Sequence, residues 1–292
     1  MITQILCNGL VASGRYLLVA AGFWLILRCL RFFDLAYGAM FATGAYLTLL
    51  FGSSLGIPLP FAAFLAVLVT MFLGGFLYTC VYAPLLRKRA SPLLMLLVSL
   101  GAYLVLQNAI SLIWGDDTKS IRTATPETTL RIIGATLSGR QALLIAISFA
   151  VAFALAFTLN RTRIGLVVRS VANDPDLAVA VGIENSRVSL LVYIAASGMA
   201  ALAGSLVGLD LNFTPSIGMN AMFMGVIAVV IGGTANALGA ALGALLLGMA
   251  QQLGAWGLGV GWQDVTVFGA LVFFLMLRPY GFFGRPLKSV RV

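Results

Sequence analysis

Long apolar runs without a single charge are the feature that most restricts how this chain can fold. Residues 143–159 and 265–277 are two such runs. Barrel strands would alternate apolar and polar residues over about ten positions, and these runs do not alternate. Because hydrocarbon cannot hydrogen-bond a peptide group, such runs span a bilayer as helices. We therefore predict an all-α membrane protein.

Composition excludes a water-soluble globule. Hydrophobic residues make up 61% of the 292 residues and charged residues 9%, whereas soluble domains average roughly 45–50% and 25%. A chain of this length has too little interior to hide that surplus. Histidine is absent from the sequence, which excludes imidazole catalysis and histidine metal sites. We predict that the chain is not an enzyme and uses no metal or cofactor.

A bilayer core requires about 20 apolar residues per helix. By that measure the sequence predicts a polytopic bundle, a single transmembrane domain over residues 1–292. The eight predicted spans are 7–27, 33–52, 59–82, 92–114, 141–159, 189–208, 237–256 and 262–278. A ninth segment, 220–231, is too short to span untilted, and the break Gly232-Gly233-Thr234-Ala235-Asn236 separates it from 237–256.

The basic residues predict the orientation of these spans. Arg15 lies inside a span, and Lys119, Arg122, Arg131 and Arg140 lie on one side. The larger group lies on the other side: Arg28, Arg31, Arg87, Lys88, Arg89, Arg161, Arg163, Arg169, Arg187, Arg278, Arg285, Lys288 and Arg291. By the positive-inside rule the N-terminus is outside and the C-terminus inside. The net charge of +9 follows from this bias and does not indicate nucleic-acid binding.

Two loops are long. The outer loop, 115–140, is polar, and its threonines suggest a surface lid or docking loop: Thr118, Thr123, Thr125, Thr128, Thr129 and Thr136. The inner loop, 160–188, contains a complete set of signals for a short helix. Asp174 suits the N-cap, Pro175 the first helical position and Gly182 the left-handed position after the C-terminus.

A helix of two turns is unstable alone in water, so it must pack on something. Leu177, Ala178 and Val181 give it an apolar face, and the small side chains of Ala178 and Ala180 suit insertion into a groove. Two interpretations remain open from these residues alone. The helix either packs on the ends of neighbouring spans or inserts into a partner protein.

Several segments together resemble the branched-chain amino-acid ABC permeases of the LivH type. In chain order they are residues 33–40 with 44–46, Tyr82-Ala83-Pro84-Leu85-Leu86-Arg87, Gln107-Asn108, residues 169–183, the glycine-rich block 230–248 and Gly284-Arg285-Pro286. The resemblance covers essentially the whole chain in the right order. Asp34, Tyr37 and Gln251 stand where the family usually carries Asn, His and Glu. These departures lie at polar positions inside the membrane.

The resemblance implies a heteromeric importer in the bacterial inner membrane. Its expected partners are a second related permease, two ATP-binding cassette subunits, a periplasmic solute-binding protein and the lipid bilayer. The sequence has no phosphate-binding loop of the form Gly-x-x-x-x-Gly-Lys-Ser/Thr, so ATP hydrolysis must belong to the partner subunits. In the family the inner loop carries the helix that couples to the ATPase. That role favours the partner-docking interpretation of 174–182.

Polar groups and glycines inside the spans suggest where a solute passes. Paired broken helices point to a central site, and the two interrupted segments here are 34–44 and 232–243. The predicted path residues are Asp34, Tyr37, Gly38, Gln107, Asn108, Gly232, Gly233 and Asn236. Asp34 is expected to pair with Arg31. Arg15 is expected to extend to the lipid headgroups, and the alternative is that it meets a substrate carboxylate near the outer entrance.

The solute that the family resemblance implies is a branched-chain amino acid. A permease for urea, a short amide or an aromatic acid is the alternative within the same class. A secondary transporter or channel is a rival from another class, but it would not need the capped inner helix. Proton coupling would also favour a buried acidic pair, which the sequence does not suggest.

Overall fold

The fold was analysed in a computed structural model, which describes residues 2–121, 129–132, 135–278 and 281–283. Its helices, in chain order, are α1 (Ile2–Leu30), α2 (Ala36–Leu49), α3 (Leu59–Leu77), α4 (Ala83–Arg87), α5 (Pro92–Trp114), α6 (Gly139–Arg161), α7 (Arg163–Asn173), α8 (Pro175–Ala180), α9 (Asn185–Asp210), α10 (Ile217–Gly232), α11 (Ala237–Leu258) and α12 (Gln263–Leu277). Short π turns, Leu50–Ser54 and Tyr78–Tyr82, extend α2 and join α3 to α4.

Within the described residues, seven helices are long and apolar enough to cross a membrane. They are α1, the α3–α4 unit Leu59–Arg87, α5, α6, α9, α11 and the final segment Val260–Leu277. This confirms the polytopic all-α class. The region 122–128 and the tail from 284, with Thr123, Thr125, Thr128 and the motif Gly284-Arg285-Pro286, lie outside the described residues.

The helices of the bundle differ in how much of their surface is buried. Most of α1, α2 and α9 is buried, whereas α5, α6 and α12 expose most of their apolar surface. Glycines bring the inner helices into close contact. A Cβ added at Gly204 of α9 would collide with the Phe41 carbonyl of α2, and one at Gly44 would collide with Ala201. The central helices therefore pack backbone to backbone, and the outer helices face lipid or a partner subunit.

The glycine-rich stretch between 217 and 258 forms two helices, as predicted. Gly233 ends α10 with φ +86°, a conformation that glycine adopts without steric cost. Asn236 then caps α11 by accepting the Leu238 N–H at 3.4 Å. With 16 residues, α10 is about 24 Å long, less than the roughly 30 Å of a hydrocarbon core.

Part of the outer loop has regular structure that the sequence analysis did not predict. Strands β1 (Thr129–Ile132) and β2 (Ala135–Ser138) form an antiparallel pair in which Thr129 is opposite Ser138. Gln4 of α1 holds β2, because its side chain both accepts from the Thr136 N–H and donates to the Thr136 carbonyl. Two strands of four residues do not alter the all-α class.

Candidate functional site

The short helix of the inner loop forms where it was predicted. Asp174 is its N-cap, and one carboxylate oxygen, Oδ1, accepts the N–H groups of Asp176 and Leu177 at 3.1 Å each. Pro175 opens α8, and Gly182 follows its C-terminal residues with φ +86°. Local hydrogen bonding thus specifies both ends of α8.

Hydrogen bonds from the spans fix α8 in place. Arg31 donates to the Asn173 carbonyl at 3.0 Å, and Arg28 donates to the Asn173 side chain at 2.8 Å. On the other side, Asn185 at the start of α9 donates to the Pro175 carbonyl at 2.8 Å. The helix is therefore anchored to α1 and α9 on both flanks.

The apolar face of α8 differs from the predicted one. Ala178 is buried against the protein's own core, with 2% of its surface exposed, so its prediction as a docking residue is wrong. Leu177, Val179 and Val181 are 65%, 57% and 70% exposed, and Ala180 is also exposed. The face available to a partner is formed by these four residues.

Asp34 lies in a closed polar cluster and does not pair with Arg31. Its carboxyl group accepts the hydroxyls of Tyr82 and Tyr193 at 2.7 Å each and the Ala36 N–H at 3.0 Å. Asp34 is fully buried, whereas Arg31 reaches α7. The prediction of an Arg31–Asp34 pair is therefore wrong, because the turn before α2 directs the two side chains apart.

Ser99 of α5 completes this arrangement, which we call the Asp34 cluster (Asp34, Tyr82, Tyr193 and Ser99). Its hydroxyl accepts the Leu35 N–H at 3.1 Å. Three elements, the α1–α2 turn, the end of the α3–α4 unit and α9, thus meet at one carboxyl group, and α5 joins them through the backbone of Leu35. These hydrogen bonds join helices that are far apart in the sequence, which makes the cluster a structural junction.

Two other predicted path residues of α2 also pack inside the bundle. The Tyr37 hydroxyl donates to the Val19 carbonyl at 3.1 Å, and the whole residue is buried. A Cβ at Gly38 would lie 2.7 Å from the Gly218 carbonyl oxygen of α10. Both residues make contacts between helices, and their place on a solute path stays a prediction.

The second interrupted segment forms a separate contact. Gly232 packs on Gly239 of α11, where a Cβ would meet the Gly239 carbonyl. Gly218 and Gly232 are 14 residues apart in α10 (232 minus 218), which is about 21 Å along its axis. The Gly38–Gly218 and Gly232–Gly239 contacts are therefore separate, and one central site formed by the two breaks stays a prediction. Of the residues in this break, Asn236 does line a cavity of about 380 Å³, together with Trp24 and Arg28.

Gln107 and Asn108 lie on the outer side of the bundle, in α5. Asn108 is exposed, and its side chain donates to the Leu104 carbonyl one turn earlier at 2.7 Å. Gln107 is half-buried. The hydrogen bond within α5 satisfies one donor of Asn108 without a solute, and its role in a solute path stays a prediction.

The sequence analysis missed a polar cavity of about 600 Å³ at the other end of the bundle. We call it the Arg15 cavity, and its main polar residues are Arg15, Tyr16, Asn212, Asn220, Gln251 and Asp264. Its wall includes Val207 and Leu211 at the end of α9, whereas α8 adjoins the start of α9. Val207 lies 22 residues after Asn185 (207 minus 185), so about 33 Å along α9 separates this part of the wall from the end that adjoins α8.

Arg15 faces this cavity instead of extending to the end of its helix. The side chain is half-buried, and its Nε is buried with no hydrogen-bond partner among the described residues. Beside it the Tyr16 hydroxyl donates to Gln251 Oε1 at 2.6 Å. This placement fits the alternative that Arg15 meets a carboxylate, and its extension to the headgroups stays a prediction. The only signal in the sequence was a charge within a span, which does not show the direction of its side chain.

Comparison with known proteins identifies the family. The family model described as the branched-chain amino acid transport system permease component matches residues 5–277. The chain is 32% identical to the high-affinity branched-chain amino acid transport system permease protein BraD of Pseudomonas aeruginosa, over 97% of this chain and 96% of that protein. It is 27% identical to LivH of Escherichia coli K12 over the same shares of both chains.

A more distant relative is the probable branched-chain amino acid transport permease protein LivH of Methanocaldococcus jannaschii, 22% identical over 99% of this chain and 94% of that protein. No solved structure matches the chain. The family match and the similarity to BraD both extend over nearly the whole chain. The chain therefore belongs to the permease component family of branched-chain amino acid transport systems.

Proposed function

We propose that this chain is the membrane-spanning permease subunit of an ABC importer for branched-chain amino acids in the bacterial inner membrane. The observation that carries the proposal is the full-length similarity to permeases named for that transport. An exposed apolar surface on α8, held on a fixed base outside the spans, supports it further. Such a surface suits a subunit that receives mechanical work from another protein.

The proposal includes the partners. Two ATP-binding cassette subunits hydrolyse ATP, a second related permease completes the translocation path, and a periplasmic binding protein delivers the solute. The ATPase docks on Leu177, Val179, Ala180 and Val181 of α8. Three of these are large apolar side chains more than half exposed, and burying each in a protein groove contributes about 1.5–3 kcal/mol.

We also propose eight full spans with the N-terminus outside and α8 in the cytoplasm. The eighth span is α2 with its π extension, Ala36–Leu49 and Leu50–Ser54, which contains 14 + 5 = 19 residues and is about 28 Å long. The short α10 is the additional segment. The excess of basic residues near α8 supports this orientation by the positive-inside rule.

Co-purification with the ATPase tests the docking surface. Ala180→Glu would place an unpaired charge in the groove of the partner, which costs several kcal/mol. We expect the tagged variant to insert in the membrane but to lose the ATPase subunits and uptake. Ser120→Glu, a matched charge at an exposed position at the opposite end of the bundle, should retain both. Full retention by Ala180→Glu would refute docking through α8.

Cysteine labelling tests the orientation independently. A cysteine at Asp117 should react with an impermeant maleimide added to intact spheroplasts. One at Lys88, in the exposed turn after α4, should react only after lysis. The reverse result would place α8 on the wrong side for an ATPase and would contradict the proposal as a whole.

A further inference from the structure

The Arg15 cavity is lined by a charged side chain with a buried N–H donor that no described residue accepts. A guanidinium inside a membrane protein normally has carboxylate or carbonyl partners, because an unpaired buried charge is costly. Arg15 Nε is buried without a hydrogen-bond partner among the described residues. Its planar N–H groups suit a carboxylate, which they can bind through two parallel hydrogen bonds.

Asp264 supplies the opposite charge in the same cavity. It lies in the first turn of α12, and Arg15 and Asp264 are the two charged side chains of the described lining. No ion pair joins them in the described part of the chain. The net charge of the lining is thus zero, but its positive and negative groups are separate. That pattern favours a zwitterion over a simple anion or cation.

The remaining wall is suited to an apolar side chain. Val19, Phe41, Ile217 and Met224 contribute hydrocarbon surface to the cavity. The Tyr16 hydroxyl and the Gln251 amide oxygen are hydrogen-bonded to each other, so neither competes for the charged groups of the ligand. The volume of about 600 Å³ falls within the roughly 300–1,000 Å³ of small-molecule sites.

We propose that the Arg15 cavity is a binding site for the amino acid as it enters the membrane. Arg15 binds the carboxylate, Asp264 attracts the ammonium group, and Phe41 and Met224 pack against the aliphatic side chain. The inference rests on the proposed function, since it identifies where this subunit holds its solute. It places the first contact at the end of the bundle opposite α8.

Site occupancy can be measured without transport. In a variant with Cys7, Cys29 and Cys80 replaced by serine, Asn220→Cys gives one thiol at an exposed position of the cavity wall. A high concentration of leucine should slow its reaction with a charged methanethiosulfonate. Leucinamide, which lacks the carboxylate, and 4-methylpentanoate, which lacks the ammonium group, should not. Adding Arg15→Gln should remove the protection by leucine.

Transport provides the second measurement, in proteoliposomes that contain the full complex, the binding protein and ATP. Arg15→Gln should lower leucine uptake about tenfold or more, as expected for the loss of a charged hydrogen bond. Stimulation of ATP hydrolysis by the binding protein should persist, and Arg15→Lys should recover part of the uptake. Lys119→Gln removes a positive charge near the same end but outside the cavity lining, and it should transport normally.

The outcomes separate this inference from the proposed function. Equal protection by leucine and both analogues, or normal uptake by Arg15→Gln, would overturn the assignment of the cavity while leaving the importer role intact. A parallel loss of uptake and ATP hydrolysis would make Arg15 structural and would also overturn it. Failure of the wild-type complex to take up leucine would instead refute the proposed function, and the labelling experiment would still decide whether the cavity binds amino acids.

Discussion

The Asp34 cluster and the Arg15 cavity show two ways in which this membrane protein accommodates an ionisable side chain inside its bundle. Asp34 receives three hydrogen bonds from two tyrosines and a backbone N–H, and it has no exposed surface. Arg15 borders open space, with an N–H group that no described residue accepts. The first arrangement joins helices, and the second leaves binding capacity for a solute.

The difference has an energetic basis. A buried polar group is tolerated when its hydrogen bonds are complete, and an incomplete set costs stability unless something else completes it. We expect changes at Asp34 to affect folding first and changes at Arg15 to affect transport first. Measuring stability and uptake on the same variants therefore tests the comparison directly.

The largest effect on stability is expected for Asp34→Ala. Removal of the carboxyl group leaves the Tyr82 and Tyr193 hydroxyls and the Ala36 N–H without their acceptor. Each buried donor left unsatisfied costs about 1–3 kcal/mol, so a total loss of about 3 kcal/mol or more is expected. The midpoint of thermal unfolding in detergent should fall markedly.

Asp34→Asn is the matched control for that variant. Its amide oxygen can keep the Tyr82 and Ala36 hydrogen bonds, and the Tyr193 hydroxyl can accept from the new amide N–H. We expect a loss of about 1 kcal/mol. If Asp34→Ala instead unfolds like the wild type but fails in uptake, the cluster belongs to the solute path and the contrast with Arg15 is lost.

An intermediate effect is expected for Gly38→Ala. Gly38 lies four residues after Asp34, and its partner Gly218 follows Ile217 of the Arg15 cavity, so this contact adjoins both regions. The new Cβ would lie 2.7 Å from the Gly218 carbonyl oxygen, and overpacking of this kind typically costs about 1–3 kcal/mol. Thermal unfolding and uptake should both be impaired.

Gly101→Ala is the control for the added methyl group. Gly101 lies on the exposed side of α5, where a Cβ would have no other heavy atom within 4 Å. Its stability should equal or slightly exceed that of the wild type, because alanine favours a helix over glycine by about 1 kcal/mol. Equal losses in both variants would mean that the Gly38–Gly218 contact has no special role.

The smallest effect on stability is expected for Arg15→Gln. The change removes a partly buried charge whose Nε has no hydrogen-bond partner, so little favourable interaction is lost. Unfolding should be unchanged or shifted upward by up to about 1 kcal/mol, a common result when a functional group is replaced. A loss as large as that of Asp34→Ala would show that Arg15 stabilises the fold, and the distinction between the two regions would fail.

The sequence predicted the inner helix correctly, but it did not predict the surroundings of Asp34. Asp174, Pro175 and Gly182 act on backbone groups within a few residues of themselves, so their roles follow from local spacing. The role of Asp34 depends on Tyr82 and Tyr193, which are 48 and 159 residues away. No local pattern joins these three residues.

The sequence by itself determined the class of protein, the positions of the apolar helices, the break between α10 and α11 and the capped helix α8. Each depends on segment length or on hydrogen bonds between near neighbours. Only the tertiary structure decided which side chains face one another, including the residues of the Arg15 cavity. The physical reason is that a helix apolar on every side gives no preference for which face points inward. Rotation about each helix axis is then set by close packing at glycines such as Gly38 and Gly204.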